Sequence, residues 1–296
     1  MRQFWKKRPR WQKIAIIAFG SLSVALGALY WWLFADLPSL DNLQAGLALP
    51  STRIYDRHGR LLYEVIDPHG GRNRIVPLEQ IPEALIQATI ATEDRYFYQS
   101  IGIDLGGILR AVWINLQGGE VRVGGSTITQ QVVRNLLLDP QQRAERSLRR
   151  KLREMILAVQ LAARYSKDDI LALYLNQTYY GNLAYGVQSA AEVYFGKDVS
   201  QLTLAEAALL AGLPQSPALY DPLRNPQAAR ARQRTVLDLM VEAGYITRAA
   251  ADLAYAEPLQ YGSGKFIMNA PHFVQEVWRR LERDFPTRLY LSLIHI

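Results

Sequence analysis

Residues Ile14 to Phe34 form a run of 21 residues without a charged side chain, and no other feature restricts the chain so strongly. As a helix the run extends roughly 31 Å at 1.5 Å per residue, which matches the hydrocarbon core of a bilayer. Tyr30, Trp31 and Trp32 stand at its far end and Trp11 at its near end, where amphipathic rings favour the membrane–water boundary. The first 13 residues hold six basic side chains (Arg2, Lys6, Lys7, Arg8, Arg10 and Lys13) and no acid. The positive-inside rule therefore leaves residues 1–13 as a cytoplasmic basic tail and places the chain beyond Asp36 outside. A cleaved signal peptide would close its apolar core with small residues, whereas bulky Tyr30 to Phe34 follow here, so 14–34 reads as an uncleaved transmembrane helix.

That tail also explains the charge. The formal net charge is +7, but outside the tail 28 basic residues face 27 acidic ones. Basicity confined to a membrane-flanking segment points to an anionic lipid surface, and nucleic acid is excluded as a partner. The chain has no cysteine, which rules out disulfides, thiolate metal sites and a Cys nucleophile. His58, His69, His272 and His295 are scattered without the spacing of a zinc site. Chemistry must come from carboxylates and hydroxyls.

Residues 35–50 read as a linker. TRIYDRHGRLLYEV then reads as a small β-hairpin, with two β-rich runs about an Asp-Arg-His-Gly turn. The rest is helical in pattern, and 51–250 is expected to form one mainly α domain. Pro82 suits the start of a helix to about Phe97, Ser126 can cap a helix through Leu138, and a long helix covers roughly 143–165. Ser166 with Asp169 can open another, and Thr203 with Glu206 forms a capping box before LAEAALLAGLP, which Gly212 and Pro214 stop. The Gly-rich stretch 115–126 is expected to be a mobile loop. The apolar stretch 101–116 suits either the core or the membrane interface.

Three clusters could carry chemistry. Glu93-Asp94 in ATEDRYF lies near a helix C-terminus, where the macrodipole disfavours negative charge; it is either functional or a solvated surface pair. On the 143–165 helix, Leu148, Leu152, Met155 and Val159 share one apolar face. Arg146, Arg150, Arg153 and Glu154 lie opposite, flanked by Arg149 and Lys151. Such a face could grip a phosphate or pyrophosphate, or simply be solvated. In GGSTITQQVVRN, Ser126 and Thr127 open a helix whose free N–H groups can hold an anion, and Gln130, Gln131 and Arg134 add donors; a plain capped helix is the alternative.

ATEDRYFYQSIGID, GGSTITQQVVRN, RKLRE, ILALYLNQTYYGNLAYGVQSAAEVYFGK and LTLAEAALLAGLPQSPALYDP occur in that order. Together they closely resemble the five motifs of the peptidoglycan glycosyltransferases, glycosyltransferase family 51, over roughly residues 50–250. The resemblance implies a lysozyme-like glycosyltransferase domain behind one membrane helix and a small hairpin, on the outer face of the bacterial cytoplasmic membrane. It implies polymerisation of lipid II into β-1,4 glycan strands, with inversion and release of lipid pyrophosphate. Glu93 is then the general base and Asp94 its support, while Glu154 sits near the donor pyrophosphate. Gln130, Gln131, Arg134, Arg150 and Lys151 match positions that contact donor phosphates and sugars, Ser126 and Thr127 open the same motif, and Tyr174, Asn176 and Tyr179 match the fourth motif, whose role is partly structural. No cofactor is required; a divalent cation, Mg2+ or Mn2+, at the pyrophosphate is left open, as are other cell-wall synthesis proteins as partners. Ser100 stands where the family usually has His, Arg134 where it has Lys, and Ala172 and Gln177 where it has Glu. A lytic glycan hydrolase and an inactive scaffold of cell-wall synthesis are the alternative functions. Residues 251–296 resemble the start of a linker to a transpeptidase domain, yet no Ser-x-x-Lys or Lys-Thr-Gly occurs, so transpeptidation is not expected of this chain.

Overall fold

The computed structural model describes residues 9–47, 51–65, 71–104, 106–107, 113–114, 126–145, 147–262 and 269–284. The stretch 115–125 and half of 101–116 that would test the loop and interface expectations fall outside these residues.

Helix α1 (Arg10–Phe34) carries the uncharged run and is the one candidate membrane span among the described residues. None of its residues is buried against protein, as a helix solvated by lipid requires. A short 3-10 helix, Leu40–Gly46, follows and buries Leu40 and Leu43 in the domain core. The hairpin pairs β1 (Arg53–Tyr55) with β2 (Leu61–Glu64) antiparallel. Its turn is closed by Asp56, which accepts from the backbone of His58 and Arg60, and by Gly59 at φ 76°. Strand β3 (Arg72–Asn73) later pairs in parallel with β4 (Ala184–Tyr185). Partly buried Arg53 ties the hairpin to the helices by bridging Glu64 and Glu192, each at 2.9 Å.

The helical body comprises α2 (Glu83–Glu93), α3 (Ile128–Leu137), α4 (Pro140–Ala144), α5 (Leu148–Arg164), α6 (Lys167–Gln177), α7 (Val187–Phe195), α8 (Leu204–Gly212), α9 (Pro226–Glu242) and α10 (Arg248–Ala256). A further helix, α11 (Pro271–Asp284), lies beyond it. Helix α8 packs on α2 and α9, while α3 packs on α5 and α6. The core reaches past residue 250, since Ala251 and Ala254 of α10 are buried in it.

Local chemistry explains most helix ends. The capping boxes Ser166/Asp169 and Thr203/Glu206 both form. Helix α2 ends at Glu93, earlier than Phe97, because Asp94 leaves helical geometry as the C-cap. The cap of α3 is Thr127 instead of Ser126: its Oγ1 accepts from Gln130 N at 3.1 Å. The expected 143–165 helix is two helices, broken at Glu145–Ser147, where Ser147 recaps α5.

The larger correction concerns which side of α5 faces inward. Its buried residues are Arg153, Glu154, Leu157, Ala158 and Leu161, while Leu148 of the apolar stripe is 72% exposed. The inward stripe is polar in its first two turns and apolar beyond, so periodicity over the whole helix selects the wrong face. Arg146 lies outside the described residues.

Asn176 shows how tightly α6 is keyed to the chain before α2. Its Oδ1 accepts from Val76 N, and its Nδ2 donates to Val76 O and Ala172 O, each at 2.9 Å. Buried groups left without partners cost about 1–3 kcal/mol. Asn176→Ala should therefore lower unfolding free energy by about 2–3 kcal/mol, readable by denaturant titration.

Candidate active site

Helix α2 delivers the first carboxylate. Glu93, in its last turn, is partly buried, and Gln131 Nε2 of α3 donates to Glu93 Oε2 at 2.6 Å. Burial raises the Glu93 pKa above the ordinary carboxylate range, and the Gln131 hydrogen bond with the charges of Arg232 and Arg134 only partly opposes this. A carboxylate whose proton affinity is raised by burial is suited to accepting a proton.

Asp94 is buried behind it. Its Oδ2 accepts from Ile128 N at the start of α3, at 3.2 Å, so the two ends that carry Glu93 and Gln131 are joined through one carboxylate. Burial pushes the Asp94 pKa up to about 6; Ile128 N–H and the Lys167 charge pull it down, and Asp104 raises it. Lys167 Nζ also lies 3.3 Å from Ser100 Oγ and 4.7 Å from the Phe97 ring centroid. With ionised Asp94 needed to accept from Ile128 N and hold the junction, the rate is expected to fall as pH drops through about 6. Lys167→Met removes a charge that favours ionised Asp94, so the acid limb of kcat/KM should move up by roughly half a unit or more. Lys167→Arg should leave it in place.

Helix α5 delivers the second carboxylate. Glu154 is only 1% exposed. Arg150 Nη1 bonds its Oε1, and Lys151 Nζ lies 3.7 Å from Oε2. Lys151 Nζ also donates to Ser126 Oγ at 2.7 Å and Gln130 Oε1 at 2.8 Å, which ties α5 to the α3 start. Gln130 is itself buried, with Nε2 lacking a partner. Arg134 acts electrostatically on Glu93 and on Lys151 alike. The arrangement is one proton acceptor beside a set of cations and amide donors gathered about one buried carboxylate. It suits an acceptor hydroxyl on one side and a phosphate-bearing leaving group on the other.

The remaining expected residues sit apart from these groups. Thr127 caps α3 and donates from its hydroxyl to Gly102 O at 2.7 Å. Asn176 is structural, as described. Tyr174 is buried and senses the Glu93 charge. Tyr179 is partly exposed, its ring 4.9 Å from that of Tyr185, on a cavity of about 570 Å³ also lined by Arg72, Asn182, Asp221 and Arg224. No cluster of three His, Cys, Asp or Glu occurs among the described residues. Both Glu154 oxygens already face cations, so this donor set fits a divalent metal poorly.

Three site residues escape sequence reasoning. Arg232 of α9 donates to Gly212 O at 3.2 Å and lends its charge to Glu93. Lys167 supports Asp94. The Tyr180 hydroxyl is fully buried without a partner, within the field of Glu93. Each is set against a group far along the chain, and no local pattern marks them.

A buried carboxylate held by an amide donor, with a second carboxylate enclosed by cations, suits a sugar- or phosphate-group transferase. The family model for transglycosylases matches residues 58–241, and the chain belongs to that family. It is 42% identical over 249 residues to penicillin-binding protein 1A of Neisseria lactamica, which covers 84% of this chain. It is 40% identical over 266 residues to that of Escherichia coli strain K12, covering 88%, and 43% identical over 247 residues to that of Aquifex aeolicus, covering 83%. The chain spans 30–32% of the length of these curated relatives.

Proposed function

We propose that this chain is a peptidoglycan glycosyltransferase that polymerises lipid II at the outer surface of the cytoplasmic membrane, held there by α1 with its N-terminus inside. The observation that carries this reading is Glu93: a carboxylate raised by burial, oriented by Gln131, and set beside the cation-lined Glu154 cluster. Glu93 takes the proton of the acceptor sugar's 4-hydroxyl as its oxygen attacks the donor's anomeric carbon. The bond from that carbon to the pyrophosphate oxygen breaks on the opposite face, and the electron pair leaves with the lipid pyrophosphate. Displacement from the far face converts an α-linked donor into a β-1,4 link. Arg134, Arg150 and Lys151 offset charge growing on the pyrophosphate, a good leaving group that needs no strong acid. Glu154 holds two of these cations, and Asp94 fixes the junction that aims Glu93. A hydrolase would activate water and would have no use for the cations.

The test is to incubate the detergent-solubilised chain with lipid II and resolve the products by size. Glycan polymer is expected. Cleavage of preformed glycan, or no product, would overturn the proposal.

A further inference from the structure

Helix α1 does not end free of the domain. The last carbonyls of any helix lack intrahelical partners, and here α5 supplies partners for two of them. Arg149 Nε donates to Trp32 O at 2.7 Å, with its guanidinium 5.9 Å from the centroid of the Trp32 ring. Arg153 Nη2 donates to Ala35 O at 2.6 Å and is almost fully buried there. Cations at a helix C-terminus meet the negative end of its dipole. A second tie follows: Arg164, at the other end of α5, pairs with Asp41 at 3.0 Å. Between these points Leu40 and Leu43 are seated in the core. The chain from Trp32 to Leu43 is thus fastened along the length of α5.

These contacts are costly. Arg153 loses hydration and lies beside the like charge of Arg149, a cost that the charges of Asp36 and Glu145 only partly offset. They occupy the same two turns of α5 that present Arg150, Lys151 and Glu154 to the site. A lipid-linked pyrophosphate is fixed in depth by the bilayer, and the aromatic end of α1, Tyr30 to Trp32, is fixed at that boundary too. Cations rigidly tied to that end meet the phosphates without a further loss of orientational freedom.

We propose that Arg149 and Arg153 are positioning residues that staple the end of the membrane helix to the donor-binding helix, so that the anchor sets the height of Arg150, Lys151 and Glu154 over the lipid-linked pyrophosphate. This rests on the glycosyltransferase reading above.

The full chain in lipid vesicles tests it, with Trp32→Ala, Arg149→Ala, their double variant, Arg153→Ala and Arg149→Lys. The single alanine variants should raise KM for lipid II about five- to tenfold, with kcat within about twofold and an unchanged melting temperature. The double variant should be no worse than Arg149→Ala, because Trp32→Ala removes only the ring contact, which Arg149→Ala already removes together with the bond to the Trp32 carbonyl. Arg149→Lys should recover part of the loss. With a short-chain, water-soluble lipid II analogue the same variants should behave as wild type. Additive losses, or equal losses with both donors, would overturn the staple; additivity would show Arg149 gripping lipid headgroups on its own. Failure of the wild-type chain to polymerise lipid II would instead remove the functional reading.

Discussion

Glu93→Gln should reduce the polymerisation rate by about 10²- to 10⁴-fold, the range that a positioned general base contributes. The amide has the size of the carboxylate, and its oxygen can still accept from Gln131 Nε2, so the site keeps its shape. What it loses is the capacity to take a proton. Burial raises the Glu93 pKa, which means the ionised form is held at a cost that the neutral amide does not bear. The variant should therefore melt at or above the wild-type temperature while turnover collapses. Product gels on lipid II with differential scanning calorimetry read both. A variant that unfolds earlier, or that keeps polymerising within a few-fold of wild type, would show that Glu93 is a structural acid.

Glu154→Gln should behave differently, losing activity and stability together. This carboxylate neutralises Arg150 and Lys151 in a nearly closed setting. Removing one partner of a buried ion pair leaves uncompensated charge and costs about 3–5 kcal/mol where burial is complete. Arg150 and Lys151 keep some exposure, so a loss near the lower end, about 3 kcal/mol, is expected. Lys151 also holds Ser126 and Gln130, so its displacement should loosen the α3 start and lower kcat/KM by about 10²-fold. Chemical denaturation and steady-state kinetics on the same preparation give the two numbers. The two variants are thus expected to separate Glu93 from Glu154: the first should lose activity without stability, the second should lose both.

The legible parts of this molecule are those set by neighbours within a few residues. Ser166 and Asp169, or Thr203 and Glu206, meet through three-residue spacing alone, and both capping boxes stand as read. The hairpin turn follows from Asp56 and Gly59. Reasoning from α5's own pattern failed because two different environments share one inward stripe, polar over the site and apolar beyond. Ser126 was a plausible cap, but Thr127 takes that place and Ser126 receives Lys151 from another helix. Local patterns singled out Glu93, Asp94 and Glu154 but left each open between catalysis and a solvated surface; the ordered motifs are what implied their roles. That Glu93 is raised by burial, and that Glu154 is enclosed by cations, follows only from packing.

The opening feature divides in the same way. A run of 21 uncharged residues fixes a helix long and apolar enough to cross a membrane, because bilayer thickness and helix rise are constants that need no partner. Where that helix ends against the domain is decided by Arg149 reaching Trp32 across 117 positions and Arg153 reaching Ala35 across 118. Contacts at such separation exist only once the intervening chain has folded, since local propensity carries no record of them.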